Sequence, residues 1–196
     1  MPAKKQVPKE AILEAAFTIL KKDGFESVNA RNLANALKCS TQPIYLSFKG
    51  MDELKEALYP LAENVYQDYI RKELKKAESP PYKAGGMAYI RFAKEEKHLF
   101  KFLFMRERSE TQMDDEKKYL TETVAAISSD LGLDWDTAYQ FHLEMWFLGH
   151  GIATMLITSY FDLDMDTVSE MLTDAYKGLK WRYLNKKNDG RKEQEI

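Results

Sequence analysis

Apolar residues recur three and four positions apart along nearly the whole chain. No stretch of four or more residues alternates apolar and polar between turn signals, as a half-buried strand would. That periodicity points to helices packed on helices. Ile12, Ala15, Ala16, Ile19 and Leu20 share one face of a helix that starts near Pro8 and ends at Asp23-Gly24, where the glycine supplies a C-cap. Asn29 caps a short second helix with Leu33, Ala34 and Leu37 inward, and a third starts with Ser40 as its N-cap and carries Ile44 and Tyr45. A long helix runs from about Asp52 to Lys76 and stops before Ser79-Pro80-Pro81. Further helical patterns cover 82–94, 97–108, 113–131, 135–160 and 165–184, with Gly132 and Asp162–Asp166 at two of the joints. The fold class is all-α, with about nine helices, and the polar tail 185–196 is expected to be disordered.

Charge divides this helical chain in two. The first fifty residues hold eight Lys/Arg against four Asp/Glu, while the whole chain carries a net charge of −2, so the acidic excess lies in the remainder. A basic head suits a polyanion, and an acidic body suits a different task. With 44% hydrophobic residues the chain can bury a full core. Its longest largely apolar stretch, Leu148 to Ile157, is too short for a membrane span, and the N-terminus lacks the apolar run of a secretion signal. The single cysteine, Cys39, excludes an intramolecular disulfide and any cysteine-based zinc site. The expectation is a reduced, cytoplasmic protein with no membrane partner and no cofactor.

Residues 29–48 place two short helices around a tight joint at Lys38-Cys39, the spacing of a helix-turn-helix whose second helix enters the DNA major groove. The polar side chains suit that role. Ser40, Thr41 and Gln42 stand at a helix start, Pro43 sits in the first turn where a missing N–H costs nothing, and Tyr45 is placed to reach a phosphate. Glutamine pairs bidentately with adenine, and threonine touches a thymine methyl. Two short helices at this spacing also build structural corners, so spacing leaves both readings open.

Residues 8–54 resemble the DNA-binding domain of tetracycline-repressor-like (TetR) transcriptional regulators. Ile12, Ala15-Ala16, Gly24-Phe25, Leu33-Ala34, Ser40, Ile44-Tyr45, Phe48 and Leu54 carry the resemblance. It implies that Arg31 and Tyr45 contact phosphate, that Thr41 and Gln42 face bases, and that Lys49 meets the backbone near the start of the fourth helix. Three positions depart from the pattern: Lys38 stands where the turn glycine is usual, Cys39 where an aliphatic is usual, and Met51 where a lysine is usual. Cys39 reads as a small buried hydrophobe. The head is thus assigned to 6–66, with the motif at 29–48, and a ligand-binding and dimerisation body to 67–184.

In that body, EMWFLGHGIATML (144–156) resembles a Trp-x-x-x-His-Gly segment found in one subset of the family, and HLFKFLFM (98–105) resembles the aromatic segment that precedes it. The helix from Trp135 is apolar on two sides. One stripe holds Ala138, Phe141, Met145, Leu148, Ile152 and Met155; the other holds His142, Trp146, Gly149, Ala153, Ile157 and Tyr160. With the last helix it suits a four-helix dimer interface built from Gly149, Ala153, Ile157, Met171, Ala175 and Leu179, the alternative being a larger monomeric core. Nine Met, 10 Phe, 11 Tyr and 3 Trp make an apolar effector pocket a reasonable expectation. Its candidate lining is Tyr66, Tyr69, Phe92, Phe102, Phe104, Met105, Met113, Phe141, Met145, Trp146 and His150, against the alternative that these fill one another's space. His142, Glu144 and His150 fall on different helix faces, which argues against a metal site.

No phosphate loop, nucleophile elbow or HExxH motif supports an enzyme. The expected function is a homodimeric, sequence-specific regulator, a repressor that a small, largely apolar ligand releases from a pseudo-palindromic duplex operator. The alternative is a DNA-anchored assembly factor whose body binds a protein partner.

Overall fold

The computed structural model describes residues 7–106 and 110–189, with the side chains of 110–113, 115–116 and 186–189 outside the described set. Met113, a pocket candidate, lies among these. The described residues form nine α-helices and one 3-10 turn and no strand. They are α1 (Lys9–Asp23), α2 (Ala30–Leu37), α3 (Gln42–Ser47), α4 (Met51–Lys76), α5 (Pro81–Glu95), α6 (Lys97–Phe104), α7 (Glu110–Leu131), α8 (Trp135–Ile157) and α9 (Met165–Asp189), with the 3-10 turn at Phe25–Ser27.

Two compact units emerge. The first joins the residues up to Asp68 with Glu95–Arg106; the second joins Tyr69–Lys94 with the residues from Glu107 onward. The first unit therefore includes α6, which the sequence reading put in the C-terminal body. The cause is local packing. The Phe25 and Phe102 rings lie 5.3 Å apart, and Lys21 pairs with Glu96 at 3.0 Å. Gly24, with φ +85°, ends α1 so close to α6 that a Cβ there would stand 2.9 Å from His98 Nδ1. Both the positive φ and this approach require glycine. Ile12, Ala16, Leu20, Leu33, Ile44, Phe48, Leu54, Leu58, Leu99 and Phe100 are among the buried side chains of this unit.

The second unit packs α8 between α7 and α9. Ile90, Phe92, Val124, Phe141, Ile152, Val168 and Leu172 are buried within it. Asp134 caps α8, its carboxylate accepting the Thr137 N–H at 3.0 Å. Glu73 at the end of α4 is buried and accepts from Arg91 and Lys76, each at 2.7 Å, which satisfies a carboxylate out of water.

Several boundaries differ from expectation; α6, for one, ends at Phe104 and not at 108. The chain leaves α8 at Ile157, not at 160, because Ser159 turns left-handed (φ 56°) and the Tyr160 N–H closes back on the Met155 carbonyl at 3.0 Å. Tyr160 therefore stands outside the helix, 73% exposed. The last helix persists to Asp189, so 185–189 is helical where disorder was expected; 190–196 lie outside the described residues. The third helix begins at Gln42 with Thr41 as its cap residue, and no side-chain capping bond forms there. A capping hydroxyl bonds the second or third N–H of a helix, and Pro43 removes one of those donors.

Candidate nucleic-acid interface

The helix-turn-helix is assembled by hydrogen bonds that its sequence supplies. Asn29 Oδ1 accepts the Asn32 N–H at 3.0 Å and starts α2. At the far end Lys38 adopts the left-handed conformation (φ 50°, ψ 47°), so lysine itself makes the turn that glycine would make. The Cys39 N–H reaches the Ala34 carbonyl at 3.0 Å and the Lys38 N–H reaches Asn35 at 3.2 Å, a closed helix end. Cys39 is half-buried, not buried as the sequence suggested, because it lies at this corner and not on the inner face of either helix.

Two side chains fix α3. Ile44 is 1% and Phe48 2% exposed, and Lys9 Nζ lies 4.4 Å over the Phe48 ring. Everything else turns outward. Arg31, Ser40, Thr41, Gln42, Tyr45 and Lys49 are all exposed, with Pro43 half-buried. Gln42 and Tyr45 share a face at i and i+3. After α3 the Lys49 N–H donates to Glu53 Oε2 at 2.7 Å, and Lys9 Nζ lies 3.4 Å from the same carboxylate. The Lys49 backbone bond, followed by the lysine side chains, holds the Glu53 carboxyl below its usual pKa. Glu53 thereby locks the α3–α4 joint and leaves the Lys49 ammonium on the exposed side.

Sequence reasoning missed one exposed side chain here. Leu46 is 79% exposed, one turn beyond Gln42 on the same face. It reads as core because it is apolar; its position off the Ile44–Phe48 side was the available signal.

The pocket candidates divide between the two units. Tyr66, Phe102, Phe104 and Met105 belong to the first unit, where Tyr66 meets Phe104 edge-on at 5.2 Å, Phe102 is buried and Met105 is 47% exposed. Tyr69, Phe92, Phe141, Met145, Trp146 and His150 belong to the second. There Tyr69 packs edge-on against Phe92 at 5.4 Å, Phe141 lies against Tyr176 at 5.3 Å, and Met145 is buried. A shallow cleft of about 540 Å³ does open on the first unit, lined by Ile19, Asp23, Ser27, Asn32, Asn35 and Ala36, none of them a candidate.

Two tyrosines of α5 bond two histidines of α8. Tyr82 OH lies 3.1 Å from His142 Nδ1, and Tyr89 OH lies 2.8 Å from His150 Nδ1. Burial lowers the His142 pKa and raises that of Tyr82, so at neutral pH a neutral imidazole shares this hydrogen bond with a protonated phenol. Trp146 stacks on His150 at 5.2 Å and 10°, with 38% of its surface exposed. Among the described residues, no three His, Cys, Asp or Glu gather to hold a metal ion, and no helix is long and apolar enough to cross a membrane.

The interface candidates split by burial. Gly149, Ala153 and Ile157 are buried within the single chain, although a Cβ added at Gly149 would meet nothing beyond its own helix within 4 Å. Met171 is exposed, and Ala175 and Leu179 are half-buried. The exposed large apolar side chains of these two helices are Trp135, Tyr139, Trp146, Phe147 and Met155 on α8, and Met171, Trp181 and Leu184 on α9.

Residues 12–58 match the family described as bacterial regulatory proteins, tetR family. Residues 82–176 match the tetracyclin repressor-like C-terminal domain, and the two matches together cover well over half of the chain. The chain is similar in structure to a TetR-like transcriptional regulator from Rhodococcus sp. RHA1, with a TM-score of 0.63 at 14% identity over 91% of this chain and 98% of that one. It is also similar to the fatty acid degradation regulator FadR from Bacillus halodurans, with a TM-score of 0.54 at 16% identity over 90% of this chain and 97% of that one. These likenesses concern the fold. No curated protein matches the sequence.

Proposed function

The chain belongs to the tetracycline-repressor family of transcriptional regulators, and on that premise we propose that it works as a homodimeric repressor released from its operator by a small, largely apolar ligand. That it is a DNA-binding regulator and not an enzyme comes with the family. The proposal concerns what the body senses, how it reaches the head, and that the protein acts in the cytoplasm, where its operator is.

One observation carries the ligand-responsive reading. The chain passes between the two units three times, at Asp68/Tyr69, Lys94/Glu95 and Arg106/Glu107, and the first passage lies inside α4, one continuous helix. A rearrangement of the body would therefore reach the head along a helix, and not through a slack linker. A ligand shifts that equilibrium only by binding one arrangement better than the other. As a dimer the protein would present two α3 helices about 34–36 Å apart, and the ligand would favour a spacing that does not fit. Thr41 and Gln42 at the start of α3 would face bases, with Ser40 beside them, and Arg31, Tyr45 and Lys49 would meet phosphates. The dimer face is assigned to the exposed apolar side chains of α8 and α9, with Phe147 and Trp181 at its centre.

Thermal-shift titration of the purified protein against a metabolite panel tests the sensor. At least one apolar compound should raise the unfolding temperature and, in the same concentration range, release bound DNA. A panel of apolar compounds that moves neither would leave the body as a protein-binding module on a DNA anchor. For the DNA arm, Gln42→Ala should relax preference at one base pair, costing about 1–3 kcal/mol there. An unchanged preferred sequence in a selection assay would remove Gln42 from base reading.

A further inference from the structure

We propose that Leu46 reads a thymine methyl group in the major groove and so helps set operator sequence; this rests on the reading of α3 as the base-contacting helix. Leu46 is the most exposed large hydrophobic side chain among the described residues, at 79%. It contributes nothing to the packing of its own helix, because Ile44 and Phe48 take the buried side and Leu46 points nearly opposite to both. Such an apolar surface leaves water only when a partner covers it.

Its neighbours say what that partner is. Gln42 lies one turn back on the same face, and Tyr45 lies beside it, also exposed at 54%. Whatever covers Leu46 must also meet an amide and a phenol on a helix whose family binds DNA. Base edges in the major groove offer hydrogen-bonding groups for the amide, phosphates for the phenol, and one apolar group, the C5-methyl of thymine. A leucine one turn beyond a base-reading glutamine meets that methyl on a neighbouring base pair. Polar residues at the same position would read hydrogen-bonding groups instead, so the leucine makes this chain's preference depend on a methyl group.

The test uses the full chain and a selected duplex. Binding to a random duplex pool gives the preferred site, after which each thymine in turn is replaced by deoxyuridine, which removes only the methyl. Wild type should weaken about fourfold at one thymine per half-site, the worth of one buried methyl. Leu46→Ala should lose its base preference at that position and bind the thymine and deoxyuridine duplexes equally. Its unfolding temperature should match wild type because the side chain is already exposed, and Leu46→Met should restore part of the discrimination. If Leu46→Ala keeps the same preferred sequence and the same sensitivity at every thymine, the assignment is wrong. If wild type enriches no sequence at all, the base-reading role of α3 falls, and the Leu46 assignment falls with it.

Discussion

α3 and α8 were both singled out by their sequences, and they behave oppositely. In α3, six residues long, the buried side is made by Ile44 with Phe48 just beyond, and the exposed positions are Gln42 and Tyr45 with the apolar Leu46. The hydrophobic pattern sorts this helix into core and function at every position but Leu46. In α8, 23 residues long, eight residues are buried and Trp135, Tyr139, Trp146, Phe147 and Met155 are exposed. Both sides are apolar, so the pattern shows that the helix is covered twice but not which side the chain itself covers. Exposure identifies function only where the second face differs chemically from the first.

The largest effect should come from setting the two sides of α8 against each other. Ala153 is 0% exposed. Ala153→Arg places an unpaired charge and several extra methylenes in a packed core, at a cost of at least about 3–5 kcal/mol, a large share of the stability of an ordinary domain. The variant should accumulate poorly or melt far below wild type in a thermal scan. Phe147, 59% exposed, should behave otherwise. Phe147→Arg should keep the wild-type unfolding transition of the isolated chain and weaken self-association by about 2 kcal/mol or more, roughly thirtyfold. Sedimentation over a concentration series reads this directly. If Phe147→Arg still sediments as the wild-type dimer, the subunit contact lies on another surface.

How much the sequence revealed follows the same division. The helices of the all-α fold could be read from periodicity and from Gly24, Asn29 and Gly132, because these are local signals. The exposed polar set around α3 could be read because so few residues there are apolar. The placement of α6 could not, since it depends on a non-local contact between Phe25 and Phe102 and on the fit of His98 against Gly24. Nor could the burial of Ala153 and Ile157 within the chain, since such residues suit a close subunit contact and a tight core equally well. The Tyr82–His142 and Tyr89–His150 bonds join residues sixty positions apart, a distance over which no spacing rule operates. Leu46 was missed for the converse reason, since an apolar residue on an amphipathic helix is ordinarily core.

A smaller effect, of opposite sign, belongs to the head. Lys38 holds φ 50°, where a side chain costs about 1 kcal/mol and glycine costs nothing sterically. Lys38→Gly should therefore stabilise the protein by about 0.5–1 kcal/mol, read as a higher denaturant midpoint with an unchanged slope. Destabilisation would mean that the lysine side chain makes up its backbone strain through contacts of its own. It would also mean that the head, like the body, cannot be judged one residue at a time.

The smallest effect is a pH dependence, and it separates the two units by reporter. Burial lowers the His142 pKa in the body; in the first unit burial, with Lys97 and Lys101, lowers that of His98. A histidine whose folded pKa lies below its ordinary 6.5 binds fewer protons folded than unfolded. Stability is then independent of pH well above 6.5 and declines as pH falls through that value toward the folded pKa. For one histidine the loss between pH 7 and 6 is under about 1 kcal/mol. All three tryptophans, Trp135, Trp146 and Trp181, lie in the second unit, so their fluorescence reports on the body. His142→Gln keeps a hydrogen-bonding partner for Tyr82 but removes the titrating ring. Chemical unfolding followed by tryptophan fluorescence should weaken from pH 7 to 6 in wild type and weaken less in the variant. An equal decline in both would mean that the acid sensitivity seen by the tryptophans arises elsewhere. His98→Asn would then be the next variant to measure, since a body that answers to a histidine of the head would show that the two units unfold together.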